Sequence, residues 1–485
     1  MGLGKAAARA LVWTSLESFA LSGLSLVSLF VFARLLSAEE FGLAAVSLAI
    51  IQVLTVPVEL LFHDALIQRS ELEPAHVNSA FTVSVGLGVS LCAACWLCAD
   101  GVEALLREPQ LGSVLRWMSL SLVGSGFGSV VAAMQRRKLE FRSLALRSMI
   151  GRAGSAVIAI TLALFGAGLW SLVVQQVLLV CLASLMLWLL ADERPRFYFR
   201  WRPTRELLGF GLFVTFCQLL LVFIPRIFMV LVGGYLGTAS AGLLSLAFRG
   251  LDMLRDLLAS AVGQVAMPLF ARLRDSAEAL FDAYNRSVQL TALVSYPLFV
   301  GLAVCADEVV AVAFGPQWSA AAPYFAVVAL LALDTFTRMY SLPLLQAFGR
   351  PGAPIIGLVV EAVYIALGMT LYGRDSTAHA MAVWASRVLI CAPVEMWVQR
   401  QATNMSLGRQ LRGAGKPLVA AVVMGCAVRA IAQLLPAAWP PAIRLVPMVL
   451  TGAVIYVATV GLLDRALIAQ LLRFVGQSTE SSTSS

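Results

Sequence analysis

Loops cut this 485-residue chain into about fourteen apolar stretches, each near the ~20 residues that an α-helix needs to cross a bilayer. They run at 11–33, 41–62, 77–99, 113–134, 148–166, 168–190 and 207–232, then at 239–265, 286–306, 319–347, 353–373, 378–399, 417–435 and 443–463. Hydrocarbon offers no water to backbone N–H and C=O groups, so each stretch must satisfy them internally as a helix. The expected fold class is therefore an all-α polytopic membrane protein of about 14 transmembrane helices. Composition agrees, with 60% apolar and 13% charged residues and a mean hydropathy of +0.86, outside the range of soluble domains.

The basic residues orient these helices. With the N-terminus placed in the cytoplasm, and residues at span ends counted with the nearer loop, 23 of the 35 Lys/Arg fall in inside segments and 5 outside. The other 7 lie within spans. This bias puts both termini in the cytoplasm. It also explains the net charge of +8 without nucleic acid, because the cations sit in short loops where they meet anionic lipid headgroups. Lys5 and Arg9 precede an apolar run too long for a signal peptide, which reads as a retained first span. Cys92, Cys95 and Cys98 have ligand-like spacing but lie in the charge-free run 77–99, where small apolar residues packing between helices is the simpler account. His63, His76 and His379 make no metal cluster. No cofactor and no metal are expected, and none of these residues suggests an enzyme.

The basic segment 191–206, containing ERPRFYFRWRPTRE, separates six spans from eight. The division expected is an N-terminal lobe at 1–190, this cytoplasmic linker, a C-terminal lobe at 207–400 and two additional spans at 401–465. A cytoplasmic tail at 466–485 ends in QSTESSTSS, a composition that favours disorder. A weak internal echo supports two halves. LLSAEEFGLAAVSLA follows span one and YLGTASAGLLSLAF follows span seven, and Leu36, Gly42 and Leu43 align with Leu236, Gly242 and Leu243 at an offset of 200 residues. Repeats meeting around a midplane site are a transporter plan.

Ionisable residues at membrane depth are costly and usually face a cavity or a partner. Span eight carries Arg249, Asp252, Arg255 and Asp256. At 100° per residue Arg249, Asp252 and Asp256 share a face, and Arg255 reaches Asp252 at i+3. Two arginines and two aspartates over-supply one structural ion pair, so a wet cavity is the economical environment. Asp334 and Arg338 on span ten stand at i,i+4, equally consistent with a neutralising pair and with function. Arg387 lies near mid-depth on span twelve, two turns from Glu395. Arg226 follows Pro225 about six residues from the outer end of span seven, so snorkelling competes with cavity lining. Glu17, Glu361 and Arg429 lie at depth, Arg429 with packing the simpler account, while Arg152 and Glu59 are expected near the inner surface. A cavity collecting Arg249, Arg255 and Arg387 would attract an anion, and the guanidinium fork suits phosphate oxygens.

The string FARLLSAEEFGLAAVSLA at 32–49 resembles the first-hairpin signature of bacterial polysaccharide-unit flippases, members of the multidrug/oligosaccharidyl-lipid/polysaccharide exporter superfamily. ALIQRSELEPAHVNSAF at 65–81, GAGLWSLVVQQ at 166–176 and the segment 241–273 follow in order, then FGPQWSAAAPYFAVVAL at 314–330 and QAFGRPGAPI at 346–355. The match is best with the branch serving lipopolysaccharide and exopolysaccharide biosynthesis. It implies two pseudo-symmetric six-helix lobes around a central cavity that opens alternately to the two sides, plus two C-terminal helices. The implied substrate is a polyprenyl-diphosphate-linked oligosaccharide, passed from the inner to the outer leaflet of the cytoplasmic membrane. A polysaccharide polymerase and chain-length or export machinery are the implied partners. Cavities of this family are lined by cations from both lobes, whereas this chain has few deep in its N-terminal spans.

Such a carrier moves a polar head that cannot cross hydrocarbon dry. Arginines would neutralise the diphosphate, amides such as Gln218 would contact sugar, and Asp252, Asp256 and Asp334 are candidates for H⁺ or Na⁺ on the empty return. Three rival readings are a drug or cation antiporter of the same superfamily, a membrane polysaccharide polymerase and a scaffold of the export assembly. The first would want an acidic cavity. The second would want a large outer loop, and the longest here is about 100–112. The third would not need the span-eight charges.

Overall fold

The computed structural model describes residues 23–138, 140–273, 276–350 and 352–463. Among them no strand forms. The helices are α1 Gly23–Leu35, α2 Ala38–Leu60, α3 His63–Gln68, α4 Pro74–Leu106, α5 Leu111–Arg137, α6 Phe141–Leu164, α7 Leu169–Leu190, α8 Trp201–Leu236 and α9 Thr238–Leu273. They continue with α10 Ala277–Val304, α11 Ala306–Ala313, α12 Ala322–Arg338, α13 Ser341–Ala347, α14 Ile355–Gly368, α15 Thr377–Thr403, α16 Leu407–Leu434 and α17 Pro441–Leu463. Twelve of the described helical segments are long and apolar enough to cross a membrane. Two more, α1 and α9, stand where the first and eighth spans are expected. Glu17 and the chain beyond 463 lie outside the described residues.

Local chemistry sets the helix ends. Ser37 caps α2 through a reciprocal box, its hydroxyl accepting from Glu40 N–H at 3.2 Å while Glu40 Oε2 accepts from Ser37 N–H at 2.9 Å. Gly237 turns the chain from α8 to α9 at φ +83, where a side chain would be strained. Prolines 57, 225, 297, 393, 417 and 447 sit inside helices, tolerated in a bilayer because neighbouring groups re-satisfy the freed carbonyls.

Backbone contacts divide the chain into two units. The first takes the described residues up to Ser260 together with Gly357–Arg387. In it α4 packs on α5, α6 on α7, and α2 on both α5 and α8. Its core gathers Phe62, Leu66, Phe81, Val85 and Val130. Here α2 and α9 cross at Gly42 and Gly242, the two glycines that the sequence echo aligns. A Cβ on Gly42 would stand 2.8 Å from Gly242 N and 2.6 Å from the Thr238 carbonyl carbon. A Cβ on Gly242 would stand 2.8 Å from the Ala38 carbonyl carbon. Backbone therefore touches backbone, a crossing that only glycine permits.

The second unit takes Ala261–Ile356 and the described residues from Val388. In it α10 packs on α12 and α16, and α16 on α17. Its interior is aromatic, with Phe299 against Phe336 at 5.4 Å and Phe281 stacked on Phe348 at 5.9 Å. Val449, Val454 and Leu462 of α17 are exposed, as a surface meant for lipid requires.

Candidate functional site

A cavity of about 190 Å³ opens in the first unit among α1, α2, α6, α7 and α9. Among the described residues its charged lining is Arg152 from α6 and Arg249 from α9, with no carboxylate between them. Gln175, Gln176, Ser25, Ser28 and Ser155 add hydrogen-bonding groups. Arg152 donates to Ser25 Oγ at 3.2 Å, and the Arg249 guanidinium stands 5.5 Å from the centre of the Phe41 ring, a cation–π contact that holds it without neutralising it.

The neighbours of Arg249 complete the charge pattern. Arg255 is spent on two carboxylates, 3.0 Å from Asp252 and 3.7 Å from Asp256. Arg226 feels the charges of Asp252 and Arg255, and Arg249 feels those of Arg226 and Asp252. Among the described residues no ion pair joins Arg226 or Arg249 to a carboxylate, and the buried Nε of Arg226 has no hydrogen-bond partner. Five residues expected at the site, Arg226, Arg249, Asp252, Arg255 and Asp256, thus form one electrostatic cluster with an excess of positive charge. With Arg152 added, the cluster draws cations from both sides of the linker.

The other expected residues lie in separate environments. Arg387 is ion-paired with Glu361 of the neighbouring helix α14 and stacks over Trp384 at 4.1 Å. Its nearest carboxylate is thus on another helix, not two turns along its own, and its charge is neutralised. Asp334 and Arg338 belong to the second unit, where Arg338 Nε donates to Asp334 Oδ1 at 2.8 Å and Glu395 closes on the same guanidinium. Gln218 is exposed on α8, and Arg429 is exposed on α16. Glu59 accepts from Ser125 Oγ at 2.8 Å. The Cys92 thiol lies 3.3 Å from Ser119 Oγ between α4 and α5, as interhelical packing predicts.

Sequence reasoning placed Arg152 at the inner surface and passed over Gln175 and Gln176. The adjacent amides in an otherwise apolar α7 were the available signal. Near the base of α8 lies a polar knot that the sequence did not announce. His76 Nδ1 accepts from Glu73 N–H at 3.3 Å, which leaves Nε2–H to donate to Glu206 at 3.2 Å. Arg69 donates to the same carboxylate at 2.5 Å, and the two donors hold the Glu206 carboxyl below its ordinary range, His76 contributing most.

Comparison with known proteins gives the family and the fold. The chain is 28% identical over 471 residues to the succinoglycan biosynthesis transport protein ExoT of Rhizobium meliloti (strain 1021), covering 96% of this chain and 95% of that protein. It is 25% identical over 328 residues to the lipopolysaccharide biosynthesis protein WzxC of Escherichia coli (strain K12), covering 66% of each. In fold it is similar to the lipid II flippase MurJ in an inward closed conformation, with a TM-score of 0.75 over 94% of this chain and 100% of that one at 13% identity. An inward-facing multidrug resistance MATE family transporter follows at TM-score 0.62 and 13% identity, covering 80% of this chain and 98% of the other. The family model described as polysaccharide biosynthesis protein matches residues 31–323, well over half of the sequence, and the chain belongs to that family of multi-pass membrane proteins.

Proposed function

We propose that this protein is a flippase for polyprenyl-diphosphate-linked oligosaccharide repeat units, moving them from the cytoplasmic to the periplasmic leaflet of a bacterial inner membrane for polysaccharide synthesis. The observation that carries this reading is the cavity that brings Arg152 and Arg249 together among amides and hydroxyls. Two fixed guanidinium groups match a diphosphate, and the amides and hydroxyls beside them match sugar. The names of the relatives, a transport protein for succinoglycan and a lipopolysaccharide biosynthesis protein, point the same way.

In this reading the termini are cytoplasmic, two six-helix lobes rock about the cavity, and the prenyl tail stays in lipid while the head crosses wet. A polysaccharide polymerase and the export machinery receive the product. Two negative charges moving outward across ~100 mV would gain up to about 4.6 kcal/mol, enough to bias the step. Asp252, Asp256 and Asp334 are the candidates to take up H⁺ or Na⁺ on the empty return.

The test is leaflet accessibility of a labelled polyprenyl-diphosphate oligosaccharide in vesicles containing the protein, beside the Arg152→Ala/Arg249→Ala double variant inserted to the same level. Transfer by the wild type that collapses in the variant is expected. Transfer that survives moves the anion site elsewhere, and no transfer of any repeat unit sinks the flippase reading.

A further inference from the structure

A second and larger cavity, about 530 Å³, lies in the first unit where α4 begins and α5 and α7 end. The linker forms one side of it. Arg196 N–H donates to Asn78 Oδ1 at 2.8 Å, Tyr198 N–H to Thr82 Oγ1 at 2.9 Å and Arg200 N–H to Ser79 Oγ at 3.1 Å, so three side chains of α4 strap the linker down. Phe197 packs on Phe81 at 5.1 Å. Phe197, Tyr198, Phe199 and Trp201 are nevertheless exposed, a run of aromatics of the kind that settles at the headgroup level of a bilayer.

The walls and rim of this cavity differ in character. Val77, Val131 and Met134 are apolar, whereas Lys138, Arg194 and Arg196 face Glu140, Asp192 and Glu193 around the rim. Among the described residues, three cations stand beside three carboxylates, so both signs of charge are presented around one rim. It suits a ligand that carries both signs a few ångströms apart. The pair that bridges the rim, Lys138 to Glu193 at 3.4 Å, is solvent-exposed and weak, so a ligand displaces it readily. Gln135 supplies an independent sign of a missing partner. It is 3% exposed, it lines the cavity, and both Oε1 and Nε2 are buried without a hydrogen bond. A buried amide left open at both ends is costly, and a turn of its side chain towards an ester-and-phosphate ligand recovers that cost.

We propose that this cavity is a built site for a zwitterionic phospholipid headgroup, an aminoethyl phosphate, with the phosphate against Lys138 and Arg194, the ammonium against Asp192 and Glu193, and Gln135 on the glycerol esters. The cavity is separate from that of Arg152 and Arg249, and the proposal stands or falls apart from the flippase reading. A lipid held there braces the linker against α4.

Native mass spectrometry of the full-length protein released from nanodiscs tests it, using equimolar phosphatidylethanolamine and phosphatidylglycerol, and phosphatidylcholine in a second set. The wild type is expected to retain one phosphatidylethanolamine at least tenfold more often than phosphatidylglycerol, and more often than phosphatidylcholine, whose trimethylammonium donates no hydrogen bond. The Asp192→Asn/Glu193→Gln variant, left with Lys138, Arg194 and Arg196 against Glu140 alone, is expected to reverse the preference. Gln135→Leu, close in volume, should lower phosphatidylethanolamine retention while leaving the melting temperature unchanged or raised. A wild type that retains phosphatidylglycerol equally, or a preference that neither variant moves, overturns the proposal. Flipping measured on the same variants reports on the other cavity and has no bearing on the lipid site.

Discussion

The Gly42–Gly242 crossing is the contact whose loss has the most readable consequence. A methyl group on Gly242 would stand 2.8 Å from the Ala38 carbonyl carbon, with the carbonyl oxygen closer still, whereas ordinary contact begins near 3.4 Å. The obstruction is backbone on both sides, so no side chain can swing away. The helices must part by about 1 Å. Overpacking of this kind costs about 1–3 kcal/mol, and with backbone as the obstacle the upper end applies. In the proposed orientation the crossing lies at the outer ends of α2 and α9, where an outward-open carrier must separate. A penalty of ~3 kcal/mol confined to the outside-closed state then shifts the population towards outside-open by roughly a hundredfold.

The assay is labelling of a Ser28→Cys reporter, which lines the Arg152–Arg249 cavity, by a membrane-impermeant maleimide added outside, in a background lacking the native cysteines. Gly242→Ala is expected to raise the outside rate by one to two orders of magnitude. Gly42→Ala should do the same, and the double variant should add little, because both act on one contact. Gly86→Ala is the control, since nothing lies within 4 Å of the Cβ it would gain. A folded Gly242→Ala protein with unchanged outside labelling would refute the assignment of this crossing to a closed outer end.

Other perturbations separate the charged groups by role. Arg387 and Glu361 neutralise each other at one-fifth exposure or less, so Arg387→Ala alone should cost about 3 kcal/mol by leaving a buried carboxylate, and Arg387→Met/Glu361→Met should recover most of it in thermal melts. Glu206 titrates in the opposite sense to a buried acid. Its folded pKa lies below its unfolded one, so the contribution of the knot is complete above the ordinary carboxylate range and is lost as pH falls through the lower folded value. Hydrogen exchange of the 69–76 loop should therefore be faster in Glu206→Gln than in wild type at neutral pH, with the difference closing only below about pH 4. Ser37→Ala, which removes the cap of α2, should lower stability by about 1 kcal/mol without changing which side of the cavity is open.

Span positions were legible because hydrocarbon imposes a length and an internal hydrogen-bond rule that each segment obeys alone. The pairing of charges was not, because it depends on which helices become neighbours. Arg387 and Arg249 look alike in sequence, cations in apolar helices with acids one to two turns away. The structure separates them through partners from elsewhere: Glu361 from α14 silences Arg387, while Phe41 from α2 holds Arg249 by its ring face and leaves its charge available. Arg152 looked interfacial by its depth alone and joins Arg249 only because α6 and α9 line one space. The Gly42–Gly242 alignment lies between these cases: the sequence pairs the two glycines only as equivalent positions of a repeat, and the structure shows that they also touch. The missing side chains record how closely the two backbones approach. A repeated small residue is readable in one chain, whereas the partner of each cation is supplied from elsewhere in the chain, and there reading from sequence stops.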